Sequence, residues 1–143
     1  MDIRQLTPSH AVSPQIMPED LAKLAEAGFT TVICNRPDAE VPPTLSADTM
    51  QAEAARHGIT FVYLPMGRTP LTTDLIAQCG EAMDMSQGPS LAYCASGTRS
   101  CILWAFSQAG KTPTADLIAT ASDCGYDIGH FAPQITALAQ SGA

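Results

Sequence analysis

The chain has 143 residues, 45% of them hydrophobic and 15% charged, with 11 prolines and 10 glycines dispersed along it. That is enough for one folded domain spanning residues 1–143, and it excludes a disordered chain. A formal net charge of −7, with no basic run among seven Lys and Arg residues, opposes nucleic acid and anionic membranes as partners, and no apolar run approaches the length of a bilayer span.

In chain order, His10-Ala11-Val12-Ser13 is predicted as an edge strand. A helix over 18–27 follows, with Pro18 at its first position, Glu19 and Asp20 in its first turn, Leu21, Leu24 and Ala25 on one face, and Gly28 as its stop. Thr31-Val32-Ile33-Cys34 is short, β-branched and apolar, as suits a strand buried on both faces.

The same unit then recurs. Ser46 caps a helix carrying Met50 and Ala54, and Thr60 to Leu64 is the next strand. Thr72 caps a helix with Leu75, Cys79, Ala82 and Met83 on one stripe, and Ser90-Leu91-Ala92-Tyr93 is the strand after it. Three helix-then-strand units imply an α/β fold, with a mainly parallel sheet of four or five strands and helices on both faces. Three more helices close the chain: 100–109 with Leu103 and Phe106 inward and Trp104 as core or partner surface, one from Thr112-Pro113 with Leu117, Ile118 and Ala121, and one with Ile135 and Leu138.

Five cysteines, at 34, 79, 94, 101 and 124, include no C-x-x-C and no Cys/His pair at zinc spacing. We therefore expect free thiols in a reducing cytoplasm, no metal and no cofactor.

Cys94 stands where a strand meets a helix, the place where open α/β sheets build sites. A helix N-terminus offers unpaired N–H groups and partial positive charge, and Arg99 adds a planar, bidentate cation. Both favour a thiolate nucleophile. Ala95, Ser96, Gly97 and Thr98 form the anion-binding loop, Gly97 letting it curl without a Cβ. The Ser100 hydroxyl is placed to donate to the sulfur or to a leaving group. Arg36 and Asp38, after a neighbouring strand, are expected to pair and brace the site or bind substrate; Asp38 and Glu40 are carboxylates able to reach it. Arg68 is a cation on a loop facing it. Cys34 and Cys101 read better as buried structural thiols than as resolving partners. His57 suits a helix C-terminus.

Ser13-Pro14-Gln15, Ile33-Cys34-Asn35-Arg36-Pro37-Asp38-Ala39-Glu40 and Tyr93-Cys94-Ala95-Ser96-Gly97-Thr98-Arg99-Ser100 resemble the phosphatase-like domain family of beta-lactamase-hydrolase-like proteins, some members of which are labelled sulfurtransferases. The resemblance implies a cysteine-phosphatase fold with a strand, a Cys-to-Arg loop and a helix. Two departures matter. Four residues separate Cys94 from Arg99, a rhodanese-like spacing, where tyrosine and dual-specificity phosphatases have five. The stretch 65–71, where such phosphatases carry an acidic proton donor, has no carboxylate, and Asp74 beyond it suits a helix's first turn.

The sequence therefore favours a sulfurtransferase in which Cys94 carries a persulfide between a small sulfur donor and a thiol acceptor. The alternatives are a phosphatase acting on a phosphoester through phosphocysteine, and a binding module that keeps the anion loop without turnover.

Overall fold

Alternate residues of each central strand point to opposite faces, and both faces are buried. Ala11, Val32 and Leu91 pack with Leu21, Leu24, Met50 and Ala54 on one side; Val12, Ile33 and Ala92 pack with Trp104, Leu117 and Ile135 on the other. The computed structural model describes residues 1–67 and 71–141. Among them, β1 (Arg4–Thr7), β2 (His10–Ser13), β3 (Thr31–Cys34), β4 (Thr60–Tyr63) and β5 (Ser90–Tyr93) form one sheet in the order β1-β2-β5-β3-β4. All pairings are parallel except β1 with β2. Helices α1 (Asp20–Glu26) and α2 (Ala47–Arg56) cover one face; α3 (Thr73–Asp84), α4 (Thr98–Ser107), α5 (Thr114–Asp123) and α6 (Ala132–Gln140) lie on the other.

The predicted caps are present. Ser46 and Thr72 accept the N–H groups of Thr49 and Leu75, closing the open ends of α2 and α3.

Three expectations are corrected. His10–Ser13 is an interior strand, flanked by β1 and β5 and buried throughout. The edge is Arg4–Thr7, which buries only Leu6 and so lacks an alternating signal. Helix α1 begins at Asp20, not Pro18, because residues 17–20 form a turn in which the Asp20 carboxylate takes the Met17 N–H at 2.8 Å and the Asp20 N–H returns to Met17 O. Helix α4 is buried on all sides from Ser100 to Phe106, since α3, α5 and α6 surround what the sheet leaves open. Trp104, at 4% exposure, is core rather than partner surface.

The parallel register matters most for the site. Ser13, Tyr93, Cys34 and Tyr63 stand side by side as the last residues of β2, β5, β3 and β4. The loops that follow all leave from one sheet edge.

Candidate active site

Cys94 follows β5 directly and is fully buried. Its Sγ accepts the Gly97 N–H at 3.1 Å. Gly97 holds φ +94°, in the left-handed region, where a Cβ would also collide with Tyr126. Ala95 and Ser96 are exposed at the loop's outer curve. The Thr98 N–H goes to Ser96 Oγ at 3.3 Å and the Ser96 hydroxyl donates to Thr98 Oγ1 at 3.0 Å, so within this loop the amide of Gly97 serves the sulfur.

Arg99, on the first turn of α4, points across the sheet edge. One terminal nitrogen donates to Glu40 Oε2 at 2.9 Å and to the Met66 carbonyl at 2.8 Å, and the other to Glu40 Oε1 at 2.8 Å. This bidentate pair raises the guanidinium pKa, with the nearby Cys94 adding to the effect. Arg99, helped by Arg36, holds the Glu40 carboxyl below its usual range.

Arg36 and Asp38 do not pair. Arg36 donates to Glu40 Oε1 at 3.3 Å and to Gln15 Oε1 at 3.2 Å, whereas Asp38 Oδ1 accepts the Ala47 N–H at 2.8 Å, securing the start of α2. A 3-10 turn over Asp38–Glu40 separates them, turning Glu40 rather than Asp38 toward the arginines. The buried Ser100 hydroxyl donates to Asn35 Oδ1 at 2.8 Å rather than to the sulfur, and Asn35 in turn donates to the Leu64 carbonyl at 2.9 Å. Arg68 lies outside the described residues.

Three residues absent from the sequence-level site therefore help build it, Gln15, Asn35 and Tyr126, while Glu40, expected as a carboxylate able to reach the site, meets both arginines. The Gln15 N–H donates to Ala95 O at 3.2 Å. Asn35 lies inside the segment Ile33 to Glu40 that carries the family resemblance, and that was its available signal. Tyr126, reaching in from beyond α5, had none.

A pocket of about 350 Å³ is walled by Tyr63, Leu64, Pro65, Met66, Leu71 and Asp74 among others; it shares Met66 with the Arg99 contacts but is not lined by residues 94–99. Burial raises the thiol pKa of Cys34 and pushes Cys101 up to about 12, which suits structural cysteines. Among the described residues no group of three His, Cys, Asp or Glu side chains is placed to hold a metal, and no described helix is long and apolar enough to cross a membrane.

The sequence pattern described as beta-lactamase hydrolase-like protein, phosphatase-like domain, matches residues 2–111. The chain belongs to this phosphatase-like domain family. A beta-lactamase hydrolase-like protein of Xylella fastidiosa (strain Temecula1) is 30% identical over 131 residues, 90% of this chain; one of Agrobacterium fabrum is 26% identical over 119 residues. The chain spans only about 30% of the length of such relatives. Among solved structures, a candidate phosphatase of Neisseria meningitidis superposes with a TM-score of 0.83 at 27% identity, covering 96% of this phosphatase-like chain and 99% of its own. TpbA of P. aeruginosa, at 14% identity and a TM-score of 0.70 over 99% of this chain and 90% of its own, shares the fold.

Proposed function

We propose that this phosphatase-like domain hydrolyses phosphomonoesters, with Cys94 as nucleophile, Arg99 as clamp and the 95–98 loop as anion cradle. The observation that carries the reading is the Gly97 N–H turned onto Cys94 Sγ at the N-terminus of α4, with Arg99 on the first turn of the same helix and its fork held by Glu40 and the Met66 carbonyl. Likeness to phosphatase structures supports it, and TpbA has been solved with phosphotyrosine bound.

The Cys94 thiolate attacks phosphorus, the bond from phosphorus to the leaving oxygen breaks, and a phosphocysteine forms. Arg99 and the loop amides bind the equatorial oxygens, whose charge is greatest in transit. Water then attacks phosphorus, the sulfur–phosphorus bond breaks and inorganic phosphate leaves. Glu40 is unsuited to protonate the leaving oxygen, because the arginines keep it ionised. Ser100, Arg36 and Asp38 act behind the reacting atoms, as supports of the loop and of the α2 end. The odd cysteine count without a C-x-x-C pair favours a reducing, cytoplasmic setting.

The four-residue Cys94-to-Arg99 spacing favours a second reading, sulfur transfer through a Cys94 persulfide. Two assays separate the readings. Hydrolysis of an aryl phosphate that vanishes in Cys94→Ser supports the phosphatase. A one-sulfur mass gain after thiosulfate, lost in the same variant, together with no phosphate release, overturns it in favour of sulfur transfer.

A further inference from the structure

Two carbonyls of the cysteine loop are tied outward, away from the sulfur. The Gln15 N–H holds Ala95 O at 3.2 Å, and the Tyr126 hydroxyl donates to Ser96 O at 3.1 Å, from thirty residues further along the chain. A trans peptide is planar and carries its C=O and N–H on opposite sides. A carbonyl drawn outward therefore turns the next N–H inward. For the peptide joining Ser96 to Gly97 the consequence is visible, since its N–H is the one that meets Cys94 Sγ at 3.1 Å.

Tyr126 is fitted to this task from several sides. Its hydroxyl and ring occupy the space a Cβ at position 97 would need, which ties the tyrosine to the left-handed glycine. The Arg4 guanidinium lies 4.8 Å from the ring centroid, and Arg4 also donates to the Cys124 carbonyl at 3.0 Å, so the edge strand β1 holds the tyrosine's own turn. Burial pushes the phenol up to about 12. It keeps its proton, and remains a donor, throughout the neutral range.

We propose that Tyr126 is a positioning residue for the anion cradle: its hydroxyl sets the direction of the Gly97 amide, and with it the affinity of the loop for a tetrahedral oxyanion. The proposal rests on the anion-loop reading of Cys94 to Arg99. It also places a determinant of the site outside residues 2–111, the part of the chain that carries the family pattern.

Tyr126→Phe tests this, because it keeps the ring against Arg4 and Gly97 and removes only the hydroxyl. Two quantities are measured on the full chain: hydrogen exchange of the Gly97 amide by NMR, and the dissociation constant for tungstate, a tetrahedral oxyanion probe. We expect Gly97 exchange to quicken and tungstate binding to weaken, each about fivefold, the scale of one lost neutral hydrogen bond. A tyrosine that merely packed would lower the melting temperature on replacement and leave tungstate affinity of the folded protein unchanged. Gly97 exchange identical in the two proteins, or tungstate affinity unchanged where the parent binds it, overturns the proposal. If the parent protein binds no tungstate while Gly97 exchange still responds to Tyr126→Phe, the amide brace stands and the phosphoester reading falls.

Discussion

Glu40 grips Arg99 by both terminal guanidinium nitrogens, at 2.8 and 2.9 Å, and the same arginine holds the Met66 carbonyl. The fork is thereby fixed at the mouth of the cysteine loop before any substrate arrives. Because the pair is partly exposed, its contribution to stability is small, and its value lies in orientation. We predict that Glu40→Gln lowers kcat/KM for an aryl phosphate about tenfold while the melting temperature moves by no more than a few degrees. Arg99→Lys, which keeps the charge and loses the fork, lowers it further. The Glu40 carboxyl is held below the usual carboxylate range, so the pair persists as pH falls from 8 to 5. Steady-state rates across that range check both statements; an unaltered Glu40→Gln enzyme would reduce the pair to surface decoration.

Gly97 is constrained twice, by φ +94° and by Tyr126. Gly97→Ala therefore forces the loop out of its native path. The expected result is loss of aryl phosphate turnover by at least about a hundredfold, the scale of losing an oxyanion donor. Destabilisation of about 1–3 kcal/mol accompanies it, read from denaturant unfolding. Wild-type turnover in the alanine variant contradicts this account.

The hydroxyl of Ser100 and the amide of Asn35 form a buried link beneath the loop. Ser100→Ala leaves the Asn35 carbonyl oxygen without that donor, which costs about 1–3 kcal/mol. The predicted signature is a lower melting temperature with KM nearly unchanged, since the hydroxyl points away from the sulfur. A collapse in kcat with undiminished stability would assign Ser100 a direct chemical role instead.

Hydrolysis is predicted to depend steeply on the leaving group. Glu40 is ionised, and the stretch from Pro65 to Leu71 contains no carboxylate. p-Nitrophenyl phosphate should outpace phenyl phosphate by about a hundredfold or more in kcat, the assistance a positioned acid normally supplies. Comparable rates for the two substrates would show that a proton donor, with Asp74 in the pocket wall as first suspect, serves the site.

His10 is buried with its Nδ1 2.7 Å from Ser90 Oγ. Burial is the first cause that lowers its pKa from 6.5 to about 4. Below pH 6.5 the unfolded chain takes up a proton that the folded chain refuses, so stability present at neutral pH is lost as pH falls toward about 4. Urea unfolding from pH 7 to pH 4 should show this decline, and His10→Gln should flatten it.

Sequence and structure agree best where local chemistry is decisive. Ser46 and Thr72 close helices because their side-chain oxygens accept amides three residues on, whatever surrounds them. Thr31–Cys34 and Ser90–Tyr93 are β-branched or apolar runs that can satisfy themselves only in a sheet interior. Arg4–Thr7 was illegible because an edge strand buries little, and α4 read as a one-sided helix because the sequence does not show how many neighbours will surround it. Within the site the same division holds. Cys94, Gly97 and Arg99 follow from one short strand-to-helix segment, but the partner of Arg99 does not.

By itself, then, the sequence determined that a cysteine and an arginine would flank a glycine-bearing loop at the start of a helix, since all three lie within six consecutive residues and local geometry is set by near neighbours. Only the tertiary structure decided that Glu40 rather than Asp38 meets the arginines, that Ser100 turns to Asn35, and that Tyr126 fixes the Gly97 amide. Those contacts join residues from different strands and helices, and the parallel register that brings their ends to one edge is a property of the packed sheet, not of any segment in it.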